Sequence, residues 1–388
     1  MRIKPMKSLL VLFLFWAGHS QAASITCRGD NAETPKVQVF TLNDVVSVGE
    51  DLPVGTTVYK AIVNSGQAGV ECISFDQSAE GIEFSIPSRL EFISNPTSVI
   101  PGITEPYGAE IYETNIPGIG VSLTYLAAGS RLPFVGAELS HKIDVLNAWS
   151  RKSNAPAYRL QLVKTGPISP GLVNAINFPQ IKRTILQPNA PTDFNFLGFP
   201  MSESIMTFNG SIQIVKSTCQ TEVTDKVVDL GSHDVNDLTS ERGLLTTPWR
   251  DASLRLIGCQ FSPGYYSHDG YEISTGPGNV PQGSPEFRNT VRLSLKAMTS
   301  VFRPTQGIIE LTPGSDSATG VGIQIGLKDS TSSTGYRVYN FNSIEKVFRP
   351  SSDAQSLDIP LIARYVSTSD VITPGKANGA VVYTLNYY

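Results

Sequence analysis

The sequence predicts an all-β protein of two β-sandwich domains, and three observations predict it. Short runs rich in β-branched and aromatic residues alternate with clusters of Pro, Gly, Asn and Ser, the pattern of strands joined by tight turns. No long segment with a 3.6-residue hydrophobic period competes with them. The 388 residues are 40% hydrophobic and only 16% charged, with 33 Gly and 26 Pro. That is enough chain to bury about two cores of ordinary size.

The chain opens on an export label. Arg2, Lys4 and Lys7 precede the apolar run 9–16, and Ser20-Gln21-Ala22 supplies small residues where a signal peptidase needs them. A buried core helix would explain the apolar run but not its basic flank or its small-residue exit. Residues 1–22 are expected to be a signal peptide; the run is too short to span a bilayer. Its removal takes the net charge from −4 to roughly −7, and no basic patch stands out, so no nucleic-acid partner is expected.

Runs at 37–42, 57–63, 81–86, 111–113, 120–125, 143–146 and 158–163 read as the strands of a first sandwich. Pro and Asn thicken in 187–193, followed by Phe199-Pro200, which places a domain junction there: 23–199 and 200–388. The second half opens with Met206, Phe208, Gly210, Ile212 and Ile214 on alternate positions. Further strands are expected at 227–231, 252–257, 291–297, 320–325 and 357–366.

Four cysteines fit an oxidising compartment. Three connectivities are possible, and the simplest is one bridge per domain, Cys27–Cys72 and Cys219–Cys259. Each loop would gain about 4 kcal/mol in the chain-entropy picture. No Cys-x-x-Cys spacing exists and the histidines are scattered, so no metal site is expected. Neither a nucleophile elbow, a His-Glu-x-x-His helix nor a phosphate-cradling loop occurs, so no catalytic residue and no cofactor is assigned.

The last fourteen residues, Gly375-Lys-Ala-Asn-Gly-Ala-Val-Val-Tyr-Thr-Leu-Asn-Tyr-Tyr388, carry the sharpest signal. Val381, Tyr383, Leu385 and Tyr387 fall on one face of an extended strand. A half-buried strand closing a domain explains the alternation alone. Its register is more particular: the penultimate aromatic, apolar residues fourth, sixth and eighth from the end, and glycine fourteenth resemble the carboxyl-terminal signature of subunits exported by the chaperone–usher pathway. Ahead of it come the cysteine pair, Ala318-Thr-Gly-Val-Gly-Ile-Gln-Ile325, Ile359-Pro-Leu-Ile-Ala-Arg-Tyr365 and Thr373-Pro-Gly375. In this order they resemble a pilin domain of the type 1 fimbrial superfamily over 206–388.

That resemblance implies an incomplete immunoglobulin-like sandwich lacking its last strand, with a groove open beside the carboxyl-terminal strand. A periplasmic chaperone would lend a strand there during export through an outer-membrane usher, and an adjacent fimbrial subunit would replace it. Gly375, Val381, Tyr383, Leu385, Tyr387 and the carboxylate of Tyr388 are the implied chaperone and donor-strand contacts. Only four residues, 23–26, are available ahead of Cys27, too few at about 3.3 Å each to fill a neighbour's groove. A subunit that accepts a strand and gives none is expected at the fimbrial tip.

The first half has motifs of its own. Cys27, Cys72, Thr114-Asn-Ile-Pro-Gly-Ile-Gly-Val121 and Leu162-Val-Lys-Thr-Gly-Pro-Ile168 are similar to the receptor-binding domains of two-domain tip adhesins, among them mannose-binding type 1 and collagen-binding type 3 adhesins. The resemblance implies a host glycan or extracellular-matrix protein as partner. Asp76 and Trp149 are the residues named for that contact. Asp76 stands near an aspartate of the mannose-specific relative though out of its register, and an aromatic face suits a sugar ring. A solvated loop acid and a core tryptophan are the plain alternatives. A structural tip subunit, or an initiator of assembly without receptor binding, is the alternative function.

Overall fold

The computed structural model describes residues 22–29, 35–65, 68–94, 97–105, 107–126, 131–136, 139–189, 193–261, 273–275, 289–343, 346–351 and 354–388. The expected signal peptide lies outside them, apart from Ala22. Among the described residues every element is a strand or a short 3-10 turn, as the period-two patterning and dense turn signals require. None is a helix long and apolar enough to cross a membrane.

The first sandwich pairs two sheets. One runs Gly171–Asn174, Met201–Ser217, Gln180–Ile185, Ser88–Ser94 and Phe134–Val135, and Lys36–Gly49 lies parallel to Met201–Ser217 on its other edge. The facing sheet runs Thr57–Asn64, Ala157–Lys164, Ile119–Tyr125 and Tyr112–Glu113, with the backbone of Ile273–Thr275 paired to the outer edge of Thr57–Asn64. Alternate residues meet in one core: Phe40, Leu42, Phe208 and Ile212 from the first sheet, Ala61, Leu123, Leu160 and Leu162 from the second. A smaller core sits beyond, around the sheet Ser150–Asn154, Ala68–Ser74, Ala23–Gly29 and Phe194–Leu197. There Cys27 and Cys72 stand directly opposite each other on neighbouring strands and are joined by a disulfide, Cα–Cα 4.1 Å.

The second sandwich sets Thr239–Glu241, Leu244–Thr246, Leu361–Ser367, Val321–Lys328, Ile308–Glu310 and Val301–Arg303 against two small sheets. These are Lys346–Phe348, Val291–Ala297 and Val381–Tyr387, and Gln220–Thr221, Leu254–Ile257 and Ser356–Ile359. The second disulfide, Cys219–Cys259, borders this core.

Strands form where expected at Val291–Ala297 and at the carboxyl terminus. The run expected at 357–366 divides at Pro360, which has no N–H for a ladder: Ser356–Ile359 belongs to one sheet and Leu361–Ser367 to the other. Residues 143–146 are not a strand. Ile143 is pinned by backbone bonds to Gly81 and Ile82, and Asn147 turns the chain with φ 60°. Residues 227–231 form no ladder either; Asp229 Oδ1 accepts from the Gly231 N–H and closes a tight local turn.

The expected junction at 199/200 falls just ahead of Met201–Ser217, and this strand pairs with Lys36–Gly49, Gln180–Ile185 and Gly171–Asn174 of the first sandwich. Met206, Phe208, Ile212 and Ile214 accordingly fill the first core rather than open the second. The chain leaves that core at Ser217 and meets the second at Cys219.

Candidate functional site

A deep concavity opens in the second sandwich. Buried residues of the first core such as Phe40, Leu42, Val46 and Val58 are 0% exposed, whereas Leu254, Leu295, Ile323, Ile325, Leu361 and Ala363 of the second keep 6–9%. That remaining exposure comes from a cleft of about 740 Å³ between the two sheets. Its floor is apolar: Leu295, Ile309, Ile323, Ile325 and Leu361. One wall is the ladderless segment 224–230, and the other is 377–381 with Tyr383.

The terminal strand forms that second wall. Val381–Tyr387 pairs antiparallel with Val291–Ala297 over its whole length, the only ladder it makes among the described residues. Alternation turns Val381, Tyr383, Leu385 and Tyr387 toward the second core, where they pack half-buried. The phenol of Tyr383 reaches across to the carbonyls of Thr224 (3.0 Å) and Val223 (3.4 Å). That of Tyr387 donates to the Cys219 carbonyl at 3.3 Å, and burial raises its pKa above the ordinary tyrosine value. The cleft is thus open beside Val381 and bridged by hydroxyls toward the chain end.

The other two residues of this group lie elsewhere. Gly375 packs against the backbone of 316–318 so closely that an added Cβ would stand 2.5 Å from the Ala318 nitrogen; it allows a close approach of two loops and does not line the cleft. Tyr388 exchanges backbone bonds with Thr290 (2.9 and 2.8 Å). Its ring lies under the Arg292 guanidinium at 3.9 Å and packs against the first core.

Asp76 and Trp149 each lie just outside a strand of the sheet that carries Cys27–Cys72, and no direct contact joins them. Asp76 Oδ1 accepts from the Ser78 N–H (3.0 Å) and hydroxyl (2.8 Å), which hold its pKa below the usual carboxylate value, and so caps a 3-10 turn. Trp149 is exposed, with the Arg28 guanidinium 3.9 Å over its ring. Arg28 also donates to Glu71 Oε2 from Nε (3.2 Å) and Nη2 (3.1 Å). Sequence reading passed over Arg28, Glu71 and the exposed Phe75. A signal existed: if Cys27 and Cys72 point inward, their neighbours on each strand must point out. Among the described residues no three metal-ligating side chains gather.

An all-β chain with two cores, one closed and one cleft beside its last strand, is the class this geometry defines. The family model described as Fimbrial protein matches residues 206–388, just under half of the chain. No curated protein matches. Among solved structures the chain is similar to the CupB6 tip adhesin from Pseudomonas aeruginosa (15% identity, 94% of each chain, TM-score 0.34). It is also similar to the receptor-binding domain of the MrkD1P adhesin of Klebsiella pneumoniae (16%, 50% of this chain and 98% of that one, TM-score 0.29). A third is a point mutant of the enterotoxigenic E. coli adhesin CfaE (10%, 91% of this chain and 98% of that one, TM-score 0.21).

Proposed function

We propose that this protein is a fimbrial tip adhesin whose first sandwich contacts a host glycan or matrix protein and whose second is completed by a strand from a neighbour. The cleft of about 740 Å³ beside Val381–Tyr387 carries the reading. It is an apolar slot flanked by a strand with one ladder and by a segment with none among the described residues, the shape that strand addition fills. Covering about four groove side chains would contribute roughly 6–12 kcal/mol gross. Left bare, the slot invites aggregation.

During export a periplasmic chaperone occupies the slot; at the usher an adjacent subunit replaces it. The segment Ala23–Gly29 supports an accepting rather than donating role, since it is already paired on both sides within its own sheet. No catalytic role is assigned.

Truncating residues 384–388 tests the slot. It removes Leu385 and Tyr387 from the strand whose first half walls the cleft, and capture by the chaperone should be lost; normal recovery of the truncated chain in a chaperone complex would count against the reading. Deleting the whole protein tests the placement. Fimbriae that persist but no longer bind host cells favour adhesion, whereas loss of the fimbriae themselves favours an initiator of assembly.

A further inference from the structure

The sheet that carries Cys27–Cys72 turns an unusual face to solvent. With the cysteines inward, Arg28, Glu71 and Arg151 share one outward row, because Arg28 and Arg151 both stand in register with Glu71. The next row sets Thr26 beside Ile73, and Trp149 extends it, one residue before the Ser150–Cys72 pair. Phe75 follows just beyond, 74% exposed, and Trp149 is 40% exposed. Large aromatics that far out of a core, each just outside the end of a strand, are not explained by packing. The loop that places them is built for it: Asn147 donates its N–H to the Ser74 carbonyl at 2.9 Å, and the Asp76 cap fixes the turn behind Phe75.

The charge is as well placed. Arg28 is held by Glu71 on one side and by the Trp149 ring beneath it, yet its side chain remains 58% exposed. An anchored guanidinium has N–H groups to spare for an incoming anion, at little entropic cost. Two guanidinium groups, of Arg28 and Arg151, thus flank the single carboxylate of Glu71 on a chain of net charge −4. The face also lies far from the second sandwich. Met201 packs at this core and Ser217 leads to the other, so the strand between them separates the two by roughly 50 Å at about 3.3 Å per residue.

We propose that this face binds an anionic saccharide, with the Arg28 guanidinium taking the acid group and Phe75 and Trp149 carrying the apolar face of the sugar ring. The inference rests on the adhesin reading above. Size selects a sugar over a protein. Four strands about 4.8 Å apart and some four residues of length give a patch of roughly 200 Å², against the ~800 Å² per partner of a stable protein interface. Asp76 is then a positioning residue for Phe75, not a ligand contact.

The test uses the full mature chain, residues 23–388, immobilised and probed with sialyllactose, a heparin hexasaccharide and lactose. At least one acidic probe should bind, lactose at least tenfold more weakly, and affinity should fall as salt rises. The two acidic arms tell a carboxylate from a sulfate. Arg28→Ala should lose at least tenfold and Phe75→Ala several-fold, with melting temperatures unchanged; Phe75 is exposed enough that its variant folds. Equal binding of lactose, or an Arg28→Ala variant that binds as well as the parent, overturns the site. Host-cell adhesion retained by Arg28→Ala would sink this proposal and leave the adhesin reading standing. A parent chain that adheres to no host surface removes both.

Discussion

Arg183 and Glu203 are buried to 1% and 2% side-chain exposure and meet at 3.2 Å in the first sandwich. Arg183 Nη1 also donates to Asn154 Oδ1 at 2.6 Å, and the Ser204 hydroxyl donates to Glu203 Oε2 at 3.2 Å. Taking both charges from water is costly, so the pair is no great net stabiliser, but removing one partner strands the other. Glu203→Ala should therefore cost about 3–5 kcal/mol of unfolding free energy, read as a lower urea midpoint. His141 makes a second residue-scale prediction. It is fully buried, stacked on Phe84 at 5.2 Å, with its ring nitrogens against the carbonyls of Lys142 and Ser150. Burial lowers its pKa; the two carbonyls oppose that shift but are the weaker influence. Below about pH 6.5 the unfolded chain then binds a proton that the folded chain refuses. The stability due to His141 is complete above that pH and falls as the pH drops toward the depressed folded value. Urea midpoints at pH 7.5 and 5.5 should differ more in the parent than in His141→Phe; equal differences would refute the assignment.

At the scale of elements, the strand Met201–Ser217 decides where the first sandwich ends. It supplies Met206, Phe208, Ile212 and Ile214 to the core, and Gly210 lets it pass Lys36–Gly49, since φ there is +81° and a Cβ would collide with the Leu42 carbonyl oxygen. A fragment covering residues 23–199 should be unfolded by circular dichroism, and one extended to 217 should regain β-structure. A folded shorter fragment would show the strand to be dispensable. Sequence alone made the strand visible but not its allegiance. Period two says that Phe208 and Ile212 face a core without saying which, while the Pro-rich 187–193 reads like a linker. The terminal strand was legible because Val381, Tyr383, Leu385 and Tyr387 alternate against small polar neighbours. Residues 143–146 misled because Ile143, Val145 and Leu146 are apolar, yet Val145 is exposed and the backbone turns at Asn147. The distal face was half legible: Trp149 and Asp76 stand out as residue types, but Arg28 acquires meaning only when the fold sets its guanidinium over Trp149, and Phe75 only when its exposure is seen.

At the scale of the molecule, the chain's last two residues touch both sandwiches. The Tyr387 N–H donates to Asp51 Oδ2 at 2.8 Å, and Tyr388 packs on the first core. Gly49 approaches so closely that a Cβ would collide with the Tyr387 carbonyl oxygen. The turn bearing Gly49 and Asp51 is itself braced, for Glu50 pairs with Lys216 at 2.9 Å and its carbonyl accepts from Lys164. The strand that walls the cleft is therefore also the strand the first sandwich grips, and loosening one end of it should be felt by both. Asp51→Ala removes one exposed charge-assisted bond, worth about 1 kcal/mol. Gly49→Val does more, since backbone must move wherever a side chain is added there. Calorimetry of the full chain should show two overlapping transitions in the parent, because each sandwich has its own core. In the double variant the transitions should separate, with the second sandwich melting earlier as Tyr387 and Tyr388 lose their seat. A calorimetric trace unchanged by both substitutions would mean that the two bodies merely touch.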